Sequence, residues 1–442
     1  LIDSLALTAD PDMALLSLVR LAEAATAAES VHRASVGGVE TGGTTTPAAL
    51  LCSVMSDPAA GPREHRRRLL AVLGASQALG DFLVAHPERL TALAPDRAWD
   101  APQEPGAGEA LQRAVRDALG QADPVNADPS DSDERPPHPG DAAVSRATAA
   151  LRRAYRDRLT AIVADDLTSA DPIEHVPTVC RRMTELADAA LDAALLVARA
   201  AVGPQADDVA LAVIAMGKTG ARELNYISDV DVVYVVGPTH KACGAQEPIS
   251  EERLVEVGTH VATELAHVVS ATAPEPPLWP LDTALRPEGK DGALVRTLDS
   301  HLAYYRRWAA SWEFQALLKA RACAGDVELG VRYEQGVAPY VWEASRRENF
   351  VEDARAMRRR VEKESVPRGG VDRRIKLGPG GLRDVEFTVQ LLQLVHGRSD
   401  ESLRVRATLE ALDALSAGGY VSRTDAAALS GCYKALRLLE HR

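Results

Sequence analysis

The stretch Leu211-Ala212-Val213-Ile214-Ala215-Met216-Gly217-Lys218-Thr219-Gly220-Ala221-Arg222-Glu223-Leu224-Asn225-Tyr226-Ile227-Ser228-Asp229-Val230-Asp231-Val232-Val233-Tyr234-Val235-Val236 decides how this chain is read. Its first six residues are an apolar run that stops at Gly217, and Val230 to Val236 is a largely β-branched run behind a polar segment. Two buried strands joined by a glycine-containing connection fit this pattern better than one helix. Side chains alternate along a strand, so Asp229 and Asp231 share one face while Val230 and Val232 take the other. Paired carboxylates at the mouth of an apolar strand repel each other and resist desolvation unless a cation or water occupies their face. Mg²⁺ suits such an all-oxygen site when it is shared with phosphate. Alone, an Asp-x-Asp pair reads equally as two solvated strand-start residues. The glycines Gly217 and Gly220, with Lys218 and Ser228, supply backbone amides and small polar groups for a diphosphate or triphosphate, which favours the metal reading.

Outward from this centre, Leu281-Asp282-Thr283-Ala284-Leu285 is a third short strand candidate, stopped by Pro287 and Gly289. Asp282 is the best third carboxylate, with an ordinary turn residue as the plain alternative; three carboxylates could place two metal ions ~3.5 to 4 Å apart. Lys319 and Arg321 fall near the end of an expected helix, where they either reach an anion beyond its terminus or form a solvated, favourably charged last turn. Ile375-Lys376-Leu377-Gly378-Pro379-Gly380-Gly381-Leu382-Arg383-Asp384-Val385-Glu386-Phe387 sets glycines before a helix start. Free amides there could receive phosphate, with Lys376 and Arg383 adding charge. Glu386 could anchor Arg383 or a metal-bound water, unless the segment is simply a capped helix joining two subdomains. Trp308 and Trp312 share a helical face and are expected to pack into the core.

The rest of the chain reads as mostly helical. At 442 residues it exceeds one ordinary core, and its low aromatic content with abundant Ala and Leu favours close-packed helices. Three regions are expected: 1–200, helical, with a disordered insertion near 97–142; 201–300, an α/β core; and 301–442, helical, with long helices over 298–323 and 348–364. The insertion rests on a Pro, Gly, Asp and Ser-rich composition that cannot offset its ordering entropy. A net charge of −13 excludes coating of nucleic acid by bulk electrostatics, so no nucleic-acid partner is expected. Short, charge-interrupted apolar runs predict no membrane partner, and five dispersed cysteines without ligand spacing read as free thiols; together these place the chain in the cytoplasm. A start at Leu1 and an end inside a helical pattern look like a fragment cut from a longer polypeptide.

VIAMGKTGARELNYISDVDVVYVV (213–236), LRPEGKDGALV (285–295), YYRRWAASWEFQALLKAR (304–321) and IKLGPGGLRDVEFTVQLLQLVHG (375–397), in this order, resemble the glutamine synthetase adenylyltransferase/adenylyl-removing family. The resemblance covers most of the chain and implies an α+β fold, a small nucleotidyltransferase (polymerase-beta-like) mixed sheet embedded in a predominantly helical protein. It also implies a polypeptide with two such domains, one removing AMP from a tyrosine of glutamine synthetase and the other adding AMP from ATP. The HPERL segment at 86–90 and the KLGPGGLRDVEF form look like the N-terminal, adenylyl-removing half. That half would use inorganic phosphate as co-substrate and release ADP. Glutamine synthetase oligomers would be its partner, with a PII-type nitrogen-signalling protein acting through the full-length enzyme. Matching motifs make Asp229 and Asp231 the metal pair and Asp282 the third acidic residue. Where the family pattern is VDxRLRP, Ala284 replaces the first arginine; support for a phosphate contact there is lost, and Arg286 remains. The alternatives are the ATP-dependent adenylylating half and a non-catalytic nucleotide-sensing domain.

Overall fold

The structure, a computed structural model, describes residues 2–35, 46–57, 59–95, 106–121, 139–239, 249–346, 350 and 374–442. Among these, helices α1 to α8 are Ile2–Leu5, Pro11–Ser35, Pro47–Ser56, Ala60–Ala75, Gln77–Ala85, Ala107–Gly120, Pro139–Leu167 and Pro172–Val202. Strand β1 (Val209–Ala215), the single turn α9 (Gly217–Gly220), β2 (Val230–Pro238) and α10 (Glu251–Ser270) follow. Next come β3 (Leu281–Asp282), β4 (Val295–Thr297), α11 (Leu298–Arg307), α12 (Ser311–Leu317), β5 (Arg321–Gly325) and α13 (Val327–Trp342). Helices α14 (Leu382–His396), α15 (Thr408–Ala417) and α16 (Arg423–His441) close the chain. The protein is mostly helical with a small mixed five-stranded sheet embedded in it.

The chain divides into two compact units, one of residues 1–110 and 153–175, the other of 111–152 and 176–442. The first is helical, with Leu21, Leu69, Leu73 and Leu83 fully buried. Ser76 ends α4 and caps α5 by accepting from the Leu79 amide, so the chain turns sharply without leaving an orphan donor. Buried Arg68 ties Leu93 O, at 3.0 Å, to the carboxylate of Asp165.

In the second unit β1 runs antiparallel to β2 and to β5, while β3 and β4 pair in parallel with opposite ends of β2. Every residue of β1 is buried, as expected for a strand covered on both faces. Ala212, Ile214, Val233 and Val235 join Leu329, Tyr333 and Val337 of α13 in one core cluster. The other face meets α10, where Gly258 lets the helix approach: a β-carbon there would lie 2.9 Å from Val236 Cγ2. Each Val or Leu buried in these layers contributes about 1.5–3 kcal/mol. The C-terminal carbonyls of α10 are closed by the fully buried Arg152, which donates to Val268 O, Ala271 O and Glu275 O at 2.8–3.0 Å.

Four sequence expectations change. The helix over 298–323 is two helices and a strand: α11 stops at Arg307, α12 at Leu317, and Arg321–Gly325 pairs with β1. Ala and Cys in that strand are small enough to pack beneath α13, and tertiary pairing overrides their helical propensity. Strand β4 is too short to leave a period. Within the expected insertion, 97–105 and 122–138 lie outside the described residues, but 107–120 is a helix with Leu111, Val115 and Ala118 buried, a stripe that averaged composition conceals, and 139–142 begin α7. Trp308 is 76% exposed and Trp312 is 36% exposed, so neither is a core residue. The helix expected over 348–364 lies almost wholly outside the described residues.

Candidate active site

A cleft of about 860 Å³ opens where β2, β3, α12, α14 and α16 converge. Asp229 ends the loop entering β2, Asp231 follows on the strand, and both line the cleft with Asp282. Asp231 and Asp282 are register partners across the parallel β2–β3 pair, which sets their side chains next to each other on one face. Gly217 makes this possible. Its φ is +51°, and a β-carbon on it would fall 2.3 Å from Asp231 Oδ2. Gly220 serves a different contact: a β-carbon there would meet Lys319 O at 1.9 Å, so it lets α9 lie against the 317–321 turn and does not line the cleft.

Burial, reinforced by Asp282 and then Asp229, pushes the Asp231 carboxyl up to about 6, with Lys376 and Lys218 offsetting only part of the effect. Three carboxylates crowded this way match the donor chemistry of a hard, oxygen-seeking cation. They are not drawn into a ready cage. Among the described residues no three His, Cys, Asp or Glu side chains stand close enough to hold a metal ion. Asp282 Oδ1 instead accepts from the Ala284 amide at 2.7 Å, a contact within its own turn.

The expected cations divide. Lys218, Lys319, Lys376 and Arg383 line the cleft, with Ser228 and Glu386. Lys218 Nζ is held 2.6 Å from Glu440 Oε1, and Lys319 Nζ lies 3.2 Å from Glu223 Oε2, which also accepts from Thr408 Oγ1 at 3.1 Å. Burial opposes the Lys319 charge, but Glu223 and Glu386 together hold its pKa above the ordinary value. Arg286 and Arg321 are not in the cleft wall. Arg286 donates to Thr283 O, Lys290 O and Gly292 O at 2.9–3.1 Å, stapling its own loop. Arg321 makes a bidentate pair with Asp188 at 2.7 and 2.9 Å and donates to Thr219 O.

The glycine-rich start of α14 also differs from expectation. The Gly380 amide donates to Asp384 Oδ2 at 2.7 Å, and the Gly381, Leu382 and Arg383 amides donate to Gly378 O, Ile375 O and Lys376 O. Backbone donors expected to receive phosphate are therefore already spent, and only side chains from this segment face the cleft. Glu386 accepts a long hydrogen bond from Tyr433 OH, 3.4 Å, while Arg383 sits 5.7 Å from the Phe387 ring centroid.

Sequence reasoning missed Glu440, Trp312, Gln315 and Gln390, all of which line the cleft. Gln315 Nε2 donates to Gln390 Oε1 at 2.8 Å, joining α12 to α14. Glu440 lies more than 200 residues from Lys218 and carries no motif of its own. Burial raises its pKa, but the hydrogen bond and charge of Lys218, then Asn225 and Arg437, overcome that and hold the carboxyl down at about 2.

A family model described as glutamate-ammonia ligase adenylyltransferase matches residues 66–336, well over half the chain. The chain belongs to the glutamate-ammonia ligase adenylyltransferase family. It is thereby a member of a nucleotidyltransferase enzyme family. A second model, GlnD PII-uridylyltransferase, matches residues 352–442. The bifunctional glutamine synthetase adenylyltransferase/adenylyl-removing enzyme of Streptomyces avermitilis is 45% identical over 442 residues, all of this chain and 38% of that protein. The enzyme of the same name from Mycobacterium avium is 47% identical over 436 residues, 98% of this chain and 37% of its own. That from Mycolicibacterium smegmatis is 50% identical over 383 residues, 86% and 35% respectively. This member thus spans under two fifths of the length of these relatives.

These matches correct the expected half and the expected reaction. The family model is that of the adenylyltransferase, and the relatives match as bifunctional enzymes, so assignment to the N-terminal adenylyl-removing half and to phosphate-dependent release of ADP is not supported. The misleading signals were the HPERL and KLGPGGLRDVEF forms, which do not by themselves set the reaction.

Proposed function

We propose that this chain transfers AMP from ATP to a hydroxyl of glutamine synthetase, the tyrosyl side chain that the family resemblance implies. The match to the adenylyltransferase model supports this reading most directly. In the transfer, the acceptor oxygen attacks the α-phosphorus in line, the bond from that phosphorus to the bridging oxygen of pyrophosphate breaks, and the hydroxyl proton passes to solvent. Such a transition state spreads negative charge over the phosphate oxygens, so catalysis depends on positioning and on charges fixed in advance.

Asp229, Asp231 and Asp282 would hold Mg²⁺, expected as two ions, which supplies charge neutralisation at the phosphate oxygens. Lys376, from the turn before α14, and Arg383, from its first turn, line the same cleft and would clamp the triphosphate. Lys218, whose pKa burial and then Arg437 lower from the ordinary value against the pull of Glu440, is held by that carboxylate beside the α9 turn. The partners of the full-length enzyme would be the glutamine synthetase oligomer and a PII-type protein. To test the reading, unmodified glutamine synthetase is incubated with this chain, Mg²⁺ and ATP labelled at the α-phosphate. Label should accumulate on glutamine synthetase with release of one pyrophosphate per AMP; an unlabelled acceptor, with nucleotide binding intact, would refute it.

A further inference from the structure

A second cavity, about 470 Å³, lies beside the same α9 turn and shares no wall residue with the cleft. Its wall presents seven basic side chains against two acidic ones, Glu223 and Glu410. Several of these cations are fixed: Arg321 by Asp188 and Arg437 by Glu440, carboxylates outside the wall. Arg181 and Arg222 differ. They share one exposed carboxylate, Glu185, at 4.0 and 3.8 Å, too far for hydrogen bonds, and Arg222 also feels the charge of Asp188, whose two oxygens are hydrogen-bonded by Arg321.

The backbone at Arg222 is strained to place it there. Its φ is +60°, a left-handed conformation that costs a β-carbon-bearing residue about 1–3 kcal/mol. Neighbouring contacts hold it: the Glu223 amide donates to Lys218 O at 2.8 Å, and the Leu224 amide to Thr184 Oγ1 at 3.2 Å. Val176, Pro177, Leu409 and Tyr433 give the same cavity an apolar side. Guanidinium forks bind carboxylate and phosphate bidentately, and the volume falls in the range of small-molecule sites.

We propose that this cavity binds a small polyanion, a molecule with two or more carboxylate or phosphate groups on a compact skeleton, gripped by Arg181 and Arg222. The site does not depend on the adenylyl-transfer reading and can be tested without turnover. The chain is titrated calorimetrically, in metal-free low-salt buffer, with citrate as the carboxylate probe and pyrophosphate as the phosphate probe. Saturable one-to-one binding of at least one probe is expected, the tighter of the two identifying the preferred group. Arg181→Gln combined with Arg222→Gln should weaken it at least about tenfold, and Arg181→Gln alone, on a side chain 55% exposed and remote from the strained backbone, about threefold. Lys376→Gln with Arg383→Gln, which removes the cleft cations that would themselves take pyrophosphate, should leave the citrate affinity unchanged, and the pyrophosphate titration is made in this background. Absence of saturable binding by both probes, or binding lost with the cleft pair and retained without Arg181 and Arg222, overturns the proposal.

Discussion

Gly217 and Asp231 have to be considered together, because the left-handed backbone of one makes room for the carboxylate of the other. Gly217→Ala should therefore cost about 1–3 kcal/mol of stability and displace Asp231, lowering both the melting temperature and kcat. A variant with normal melting and normal turnover would contradict the close-packing argument. Of the aspartate pair, Asp231 lies on the strand that its β-branched run predicts, whereas Asp229 precedes the strand and lines the same cleft from the loop, so alternation along a strand does not account for its position. The cations were only half legible. Arg286 and Arg321 have the same chemistry as Lys376 and Arg383, and what separates them is where nearby carbonyls and Asp188 happen to lie, which no local pattern encodes. Arg383→Ala should raise the KM for ATP roughly tenfold through lost charge-assisted contacts, whereas Arg286→Ala should act on thermal stability, by opening the 283–292 loop, more than on KM. Equal effects of the two on KM would erase the distinction.

Helix α16 enters the cleft through one ion pair, Lys218 with Glu440, backed by Arg437 at 2.6 Å from the same carboxylate. With its folded pKa depressed to about 2, Glu440 contributes stability that is complete above its ordinary value near 4.5 and disappears as pH falls toward 2. Glu440→Gln should thus lower stability at pH 7 by about 1–3 kcal/mol, and the gap from the parent should narrow as pH is lowered from 4.5 toward 2. A gap independent of pH would assign the loss to packing alone. Strands β1 and β2 were readable from their β-branched runs, and α10 and α14 from their periodicity. Strand β5 was not, since Ala-Cys-Ala carries helical propensity and becomes a strand only because β1 offers an open edge. Helix α6 was hidden for the opposite reason: its buried stripe is genuine but sits between segments whose composition outweighs it.

Across the molecule, the candidate cleft and the second cavity are both walled by elements of the second unit, and both touch the short connection between β1 and β2. That connection is where the sequence was most informative about chemistry and least informative about direction, since a metal-binding carboxylate pair serves transfer of a nucleotide to or from an acceptor equally well. The family match over 66–336 is to an adenylyltransferase model, and the proposed direction rests on that match and not on the motif. The claim on which the rest depends is that Asp229 and Asp231 act together on a nucleotide triphosphate in this cleft. Initial rates of AMP incorporation into glutamine synthetase, measured across a Mg²⁺ titration for the parent chain, Asp229→Asn and Asp231→Asn, test it most directly. A Mg²⁺-dependent parent rate is expected, with a loss of at least about a hundredfold in each variant and melting temperatures no lower than the parent because a repelling charge has been removed. Parent-like incorporation by either variant at the same Mg²⁺ concentration would contradict it.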